Sequence, residues 1–461
     1  MNQGEQTREL ELAPIGRLLW KFALPAITGM LVNALYNVVD RIVVGRGVGK
    51  LAIAATTVAF PVMLVLMALS MLVGMGATAL ISIRLGEKKK EEADLIAGNA
   101  LTLLVLVAGC ASAVGLLFLE PLLLNFGAPE SVLPYAVEYT RIILLGNVLM
   151  TLGFGLTNMI RAEGHPLLAM VLNVAGALSN IVLDYIAVFP LGLGIKGAAM
   201  ATVISQGISA AGALYYYLSG RSLVKLRGRN LFLRRSVCLT VFAVGFPYFA
   251  LQLVHSLQQV IFNKSLAHYG GDLAIAAVGV VFSLGTFMFM PVIGISQAAQ
   301  PIIGFNYGAR KMERVKATLK LASFWATVII GIGYTATRIW PEQLVALFSR
   351  QDAELIAMAA EAMHVLFLVL PVIGFQIVGS GYFQATGKPL QGTLLTLSRQ
   401  VFLLIPLLLF LPRFWGLPGV WWTMPLSDLG STLITTAFLY HDFRAEAARA
   451  RDIPVLGREG S

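Results

Sequence analysis

The sequence predicts an all-α polytopic membrane protein whose twelve transmembrane helices form two pseudo-symmetric lobes of six. Three observations predict this fold class. The 461 residues are 57% hydrophobic and only 13% charged, whereas a soluble chain carries about 25% charged residues. The apolar residues come in repeated blocks of about 20 or more, which is long enough for a helix to cross a bilayer. The second half of the chain also repeats motifs of the first half.

The apolar blocks place twelve spans, at 16–44, 52–82, 93–118, 133–160, 166–190, 194–218, 239–266, 274–305, 316–338, 358–384, 389–411 and 417–440. Alternate loops differ in charge, since Lys88, Lys90 and Arg227 lie on one side and Glu120 and Glu342 on the other. The positive-inside rule then places both termini in the cytoplasm. We expect a multi-pass protein of the inner (cytoplasmic) membrane. Its basic residues then face the lipid bilayer surface, and no nucleic acid partner is expected.

Each half of the chain holds six spans. The stretch from Pro25 through Asp40 aligns with the stretch from Pro247 through Phe262 at a constant shift of 222 residues. The predicted domains are an N-terminal cytoplasmic tail, an N-lobe, a basic cytoplasmic linker, a C-lobe and a C-terminal cytoplasmic tail, at 1–12, 13–218, 219–238, 239–441 and 442–461. Parallel repeats of this kind are related by an axis along the membrane normal and share a central cavity, as in alternating-access carriers.

The first span carries an unusual polar face. Asn33, Asn37 and Asp40 fall on one side of the helix, with Tyr36 one turn from Asp40. A carboxylate inside a membrane-length apolar segment costs a few kcal/mol, so it faces a bundle interior or a wet cavity. Asp40 is therefore either an ion or proton site or a structural carboxylate satisfied by a neighbour such as Arg41.

Two further spans carry polar groups at a similar depth. Asn180 and Asp184 return to nearly one side of span 5, and Thr202 lies on span 6. A rise of about 1.5 Å per residue places Asp40, Asp184 and Thr202 at one level in the outer half of the membrane. Carboxylate, amide and hydroxyl oxygens at one level suit a hard monovalent cation or a shared proton. Such a group can link an ion gradient to a conformational change.

Other polar and methionine side chains are candidates for lining a substrate cavity, with packing left open as the alternative. They are Asn33, Asn158, Met63, Met67, Gln252, His255, Gln259 and Gln376. The second half has Phe262 and Leu407 where the first has Asp40 and Asp184, which assigns the ion chemistry to the N-lobe. Arg399 and Asp428 come near the midplane on adjacent spans. They predict an ion pair, structural rather than coupling.

With these residues the chain resembles the multidrug and toxic compound extrusion (MATE) family of transporters, from about Pro14 to Tyr440 and most closely its prokaryotic branch. The motifs that carry the resemblance are Tyr36–Asp40, Arg161–Pro166, Asn180–Asp184, Gly197 with Thr202, and Gln384–Pro389. The resemblance implies a V of two lobes and a functional monomer. It implies export of drugs and lipophilic cations in exchange for Na⁺ or H⁺. It also implies that Asp40, Asn180, Asp184 and Thr202 form the cation site.

Two other functions remain as alternatives. A flippase for lipid-linked saccharides would have the same fold but a cationic cavity, whereas the deep charges of the N-lobe here are acidic. A membrane-embedded enzyme would carry a metal or acid/base cluster, and the sequence has neither a DDxxD nor an HExxH pattern. Cys110 and Cys238 lie far apart in apolar spans and are interpreted as packing residues. We therefore expect no enzyme activity, no cofactor and no metal other than the coupling ion.

Overall fold

The computed structural model describes residues 9–126, 128–346 and 353–451, and within them all side chains except those at 37, 38, 41, 50, 53, 256, 272 and 447–451. The described residues form helices joined by short loops, with no strand among them. The helices of the first half are α1 (Ile15–Gly47), α2 (Lys50–Gly86), α3 (Lys90–Leu117), α4 (Leu119–Asn125), α5 (Leu133–Ala162), α6 (Pro166–Val188) and α7 (Gly194–Leu218).

The second half begins with α8 (Arg235–Gly271) and α9 (Leu273–Gly308), which meet at a sharp bend where Gly271 has φ 65°. The others are α10 (Met312–Ile339), α11 (Pro341–Ala346), α12 (Ala353–Leu366), α13 (Leu370–Ala385), α14 (Pro389–Leu397), a π-helix (Ser398–Leu404), α15 (Ile405–Phe410) and α16 (Pro412–Arg451). Both halves therefore consist of long apolar helices, and the predicted all-α fold class is confirmed.

Ten of the described helices are long and apolar enough to cross a membrane, or eleven if α12 and α13 form one span bent by 52°. Pro371, at the start of α13, lies at this bend and cannot continue a straight helix. The predicted twelfth span, 417–440, lies inside α16. It is less apolar because tryptophan, proline, serine and threonine residues are frequent in it. Several of its hydroxyls, including those of Ser431 and Thr435, are buried and bonded to backbone carbonyls within α16.

The internal repeat is visible as a reciprocal contact between the two halves. A Cβ at Gly86, the last residue of α2, would overlap the carbonyl oxygen of Phe305. A Cβ at Gly308, the last residue of α9, would overlap the carbonyl oxygen of Ile83. Gly86 matches Gly308, and Ile83 matches Phe305, at the same shift of 222 residues. The two halves therefore meet across a pseudo-two-fold axis.

This contact lies at one end of the molecule, where the loops bearing Lys88, Arg227 and Arg310 also lie. We call this end the basic side. The larger buried apolar cluster contains residues of both halves and includes this contact region. The second cluster, from Val43 to Ala199, contains residues of the first half only. The two halves are thus packed together on the basic side, whereas on the opposite side the first half has a core of its own.

The segment that joins the halves is bound to the first half. Asn99 on α3 is fully buried and donates from its amide to the carbonyl oxygens of Asn230 (2.9 Å) and Phe232 (3.3 Å). Its Oδ1 accepts from the backbone N–H of Arg234 at 2.7 Å. Asp94, one turn earlier, accepts from the backbone N–H of Lys225 at 2.8 Å. These bonds hold the predicted basic linker against the N-terminal helices.

Candidate functional site

The carboxyl groups of Asp40 on α1 and Asp184 on α6 lie close enough to interact electrostatically. Asp184 is 1% exposed, and Asp40 is half-buried. Asn180, with its amide oriented to satisfy both of its groups, donates to Asp184 Oδ2 at 3.0 Å and accepts from the backbone N–H of Thr202 at 3.3 Å. Among the described residues, no N–H or hydroxyl donor reaches Asp184 Oδ1. Two ionised carboxylates this close repel each other, and a bound proton or cation at this position would relieve the repulsion.

Two glycines allow the helices of this site to approach closely. A Cβ at Gly176 on α6 would overlap the Ser209 hydroxyl oxygen, and one at Gly197 on α7 would lie 2.9 Å from the Cβ of Ala187. Gly176 lies one turn before Asn180, so the missing side chain there lets α6 and α7 meet backbone to backbone. The polar residues Asn180, Asp184 and Thr202 are then buried in one place.

The other predicted site residues of α1 differ in how close they lie to the Asp40–Asp184 pair. Tyr36 is half-buried and close enough to both carboxyl groups to interact with them electrostatically. Asn33 is exposed and has a polar partner. The side chains of Asn37 and Arg41 lie outside the described residues, so the alternative of an Asp40–Arg41 pair stays open. Among its described side chains, α1 thus contributes Asp40 to the acidic pair and places Tyr36 beside it.

The structure places Asn158, a predicted cavity residue, in a packed contact between the halves. Asn158 on α5 is 5% exposed and donates to the carbonyl oxygen of Phe154 at 2.8 Å. Arg161 donates to Asn158 Oδ1 (3.1 Å) and to Gln297 Oε1 on α9 (2.9 Å) from one nitrogen. Arg161 is itself 8% exposed. In this conformation, Asn158 supports a hydrogen bond that crosses from one half to the other.

Methionines recur every four residues along α2, at 63, 67, 71 and 75. This methionine stripe becomes more buried toward the basic end of the helix. Met67 is 47% exposed, Met63 packs partly against the apolar cluster of the first half, and Met75 is 3% exposed. The stripe therefore serves as packing at the basic end. Its outer part keeps the exposure that a deformable wall of a cavity requires.

The predicted cavity residues of the second half also differ in exposure. His255 is exposed on α8, and its ring lies 3.2 Å from the amide nitrogen of Gln400. Gln259 is exposed and bonds to Asn263 at 3.4 Å, whereas Gln252 is half-buried. Gln376 on α13 is 5% exposed and belongs to the packed interior.

The predicted ion pair is present in the structure. Arg399 Nε lies 2.6 Å from Asp428 Oδ1, with side chains 20% and 5% exposed respectively. Arg399 lies in the π-helix, which precedes Pro406, a residue without a backbone N–H. The carbonyl oxygen of Arg399 accepts a hydrogen bond from the Ser427 hydroxyl. The irregular turn and the ion pair therefore join α16 to the π-helix.

Sequence reasoning missed Glu163, which follows α5 on the basic side and is fully buried. Glu163 Oε2 accepts from the backbone N–H of Leu223 (2.7 Å) and from the Tyr216 hydroxyl (3.0 Å). Burial raises the pKa of Glu163 to about 7, although these hydrogen bonds oppose the shift. Glu163 lies in the motif Arg161–Pro166. From the sequence alone, a single acid next to a helix end is interpreted as an exposed capping residue. Only its tertiary surroundings identify it as a buried carboxyl group.

The fold and the acidic group define a class of protein, a polytopic membrane transporter. A family model, MatE, matches residues 25–186 and 247–409, one match in each half. The chain therefore belongs to the MatE family of multidrug and toxic compound extrusion transporters, as the resemblance indicated.

Individual relatives agree with this assignment. The multidrug export protein MepA of Staphylococcus aureus is 27% identical over 442 residues, which is 95% of this chain and 96% of MepA. The MATE multidrug transporter DinF-BH, whose structure was solved in a complex, is 40% identical, with a TM-score of 0.85 over 92% of this chain and 95% of that one.

A third relative is a MOP superfamily transporter from Pyrococcus furiosus, described as having a binding pocket of reverse polarity that suggests a different function. It is 26% identical, with a TM-score of 0.88 over 96% of this chain and 98% of that one.

Proposed function

We propose that this chain is a secondary active multidrug exporter of the cytoplasmic membrane, with both termini in the cytoplasm. It carries lipophilic or cationic drug-like compounds outward by alternating access, in exchange for an inward coupling ion. The names of MepA, a multidrug export protein, and DinF-BH, a multidrug transporter, support the substrate class. The positive-inside rule supports the orientation, since the basic side then faces the cytoplasm.

The observation that carries the coupling site is the close approach of the Asp40 and Asp184 carboxyl groups, buried beside Asn180 and Thr202. A proton would be held between the two carboxyl groups. A Na⁺ ion at this position would instead be coordinated by oxygens. Of the two candidate ions we propose H⁺, because two adjacent carboxyl groups can share a proton without any further ligand. Loss of the shared proton would leave two negative charges in contact, which repel strongly at low dielectric. A cationic substrate or a conformational change would relieve that repulsion.

The flippase alternative requires a cationic cavity, whereas the acids Asp40 and Asp184 lie together deep in the first half. Arg161, the buried cation of α5, is occupied by Asn158 and Gln297. The polarity of the first half therefore favours cationic substrates over pyrophosphate-linked ones.

The test is transport of a fluorescent lipophilic cation in proteoliposomes, under an imposed pH gradient and, separately, a Na⁺ gradient. Wild-type protein is expected to respond to the pH gradient. Asp40→Asn and Asp184→Asn are expected to lose at least about tenfold in rate, because either change removes the proton site. Glu120→Gln, which neutralises an exposed acid on α4, serves as the matched control.

Two results would contradict the proposal. Transport driven by Na⁺ but not by the pH gradient would reject H⁺ as the coupling ion. Wild-type rates in both aspartate variants would remove the acidic pair from coupling. Purified variants must elute as wild type from size-exclusion chromatography, so that a loss of transport is not a loss of folding.

A further inference from the structure

The N-terminal residues 9–13 lie across the basic side and contact both halves of the protein. They form a helical turn at 9–12 and a bend that leads into α1. Leu10 in this turn is 2% exposed, which is unusual for a side chain so near a terminus. We call residues 9–13 the N-terminal strap.

One set of contacts attaches the strap to the first half. It continues directly into α1, and Glu9 forms an ion pair of 2.6 Å with Lys21 on that helix. The Leu10 side chain also packs beside the loop between α5 and α6, since a Cβ at Gly164 would lie 3.5 Å from its methyl group. The strap therefore belongs to the first half by chain connectivity and by packing.

A second set of contacts binds the same five residues to the second half. Arg314 on α10 donates from one nitrogen to the carbonyl oxygens of Leu10 (3.1 Å) and Ala13 (2.8 Å). Asn306 on α9 donates to the Leu10 carbonyl oxygen at 3.4 Å. Lys311, in the loop between these helices, lies 2.9 Å from a carboxylate oxygen of Glu11.

The side chains of Arg314 and Asn306, which bind the strap, also hold each other in position. Arg314 Nε donates to Asn306 Oδ1 at 2.9 Å, and Asn306 is fully buried. The bonds are charge-assisted and half-buried, which makes them stronger than exposed ones. If the halves parted on the basic side, the Arg314 guanidinium and the Asn306 amide would lose these partners. Leu10 would also lose contacts in a shared apolar cluster.

The first helical turns of α1 reinforce this bridge. Trp20 on α1 packs edge to face against Trp325 on α10, with ring centroids 5.0 Å apart. A Cβ at Gly16 would lie 3.7 Å from a methyl group of Leu321 on α10. Farther along the same helix, Asp40 lies close enough to Asp184 to interact electrostatically. One continuous helix therefore connects the strap, bound to the second half, with the acidic pair of the first half.

We propose that the N-terminal strap is a latch that holds the basic side closed and must release Arg314 and Lys311 before the protein can open inward. The latch rests on the alternating access of the proposed function, but not on the identity of the ion or the substrate. Its first test therefore measures opening rather than transport.

Opening can be followed by pulsed electron paramagnetic resonance. The spin labels are attached at Glu91→Cys on α3 and Ala445→Cys on α16, after replacement of Cys110 and Cys238 by serine. Both positions are exposed on the basic side, one in each half. Arg314→Ala is expected to raise the ratio of long to short distances about tenfold, because it removes charge-assisted hydrogen bonds between the halves. Lys320→Ala removes an exposed positive charge from the same helix and is expected to leave the ratio unchanged.

A second test keeps the strap bound. In the same cysteine-free background, Glu11→Cys and Lys311→Cys are joined by a short bifunctional thiol reagent. The proposal predicts that cross-linked protein stays closed and loses transport, and that either single cysteine variant treated identically retains it. Cross-linked protein that opens as freely as untreated protein would overturn the latch, and so would an unchanged distance ratio in Arg314→Ala. Absence of transport in every sample, together with the expected tenfold rise in the distance ratio of Arg314→Ala, would count against the proposed function and leave the latch intact.

Discussion

Gly86 and Gly308 occupy equivalent positions in the two repeats, and each brings its backbone directly against the backbone of the other half. At both positions a Cβ would overlap the opposing carbonyl oxygen, which leaves no room for any side chain. Close packing of the two halves on the basic side therefore requires glycine at both positions.

Gly86→Ala is expected to force α2 and α9 apart on the basic side, because a carbonyl oxygen cannot move away as the end of a flexible side chain can. Overpacking of this kind costs about 1–3 kcal/mol. The variant should show a lower unfolding midpoint and a larger distance between labels at Glu91→Cys and Ala445→Cys. Gly109→Ala is the control, since nothing lies within 4 Å of a Cβ there and alanine favours a helix. Equal behaviour of the two variants would show that the contact is not tight.

The Arg399–Asp428 pair predicts a specific pattern in a double-mutant cycle. Arg399→Gln and Asp428→Asn should each destabilise the protein by about 2–3 kcal/mol, because each leaves its partner charge poorly compensated. The double variant should cost less than the sum by about 1–2 kcal/mol. Reversible denaturation of all four proteins in one detergent measures the cycle. Strict additivity would mean that the two side chains contribute independently.

Glu163 predicts a loss of stability as pH rises. Its pKa is raised from 4.5 to about 7 by burial, so between these values the folded protein holds a proton that the unfolded chain has released. Stability therefore decreases from about pH 4.5 to pH 7 and is constant above, a difference of roughly 3 kcal/mol at 1.4 kcal/mol per unit.

Glu163→Gln keeps the shape but cannot ionise, and it should reduce this pH dependence. Unfolding midpoints of the variant, wild type and Glu92→Gln at pH 5 and pH 7.5 provide the measurement. Glu92 is an exposed acid on the same side and should leave the wild-type slope in place. An unchanged slope in Glu163→Gln would assign the pH dependence to other groups.

Asn99 predicts a local effect on the segment that joins the halves. Asn99→Ala removes the bonds to Asn230, Phe232 and Arg234, so the segment should detach from α3. Trypsin should then cleave after the exposed residues Arg227 or Arg229 at least about tenfold faster, because cleavage requires local unfolding of the backbone around them. Asn125→Ala, which removes a single bond within an exposed helix, should not change the rate. Equal cleavage in both variants would show that other contacts hold the segment.

The sequence predicted the class of fold and its repeat with little error. Helix α1 begins at Ile15 where span 1 was placed at 16, and α6 begins at Pro166 as predicted. These boundaries follow from local signals, namely apolar length, proline at helix starts and charged loops. The bend at Gly271 falls between the predicted spans 239–266 and 274–305, as expected. The π-helix around Arg399 was not predicted, because it depends on how neighbouring helices pack.

Part of the candidate site could also be predicted from local sequence signals. Helical spacing and depth selected Asp40, Asn180, Asp184 and Thr202, and the structure places them together. No such rule identified Glu163, because its burial comes from packing against α7 and the segment between the halves. Nor could spacing show that Arg161 takes Asn158 as a partner within a contact between the halves.

By itself, the sequence determined what each helix contains: a membrane-length apolar body, a few costly polar groups at defined depths, and the same pattern twice. These properties depend on neighbours along the chain and on the low dielectric of the bilayer. The tertiary structure decided which of those groups meet, and so which carboxyl groups lie together and which glycines allow the two halves to pack closely on the basic side. Contacts between residues hundreds of positions apart, such as Leu10 with Arg314, arise only when the helices pack, since no local pattern encodes their distance.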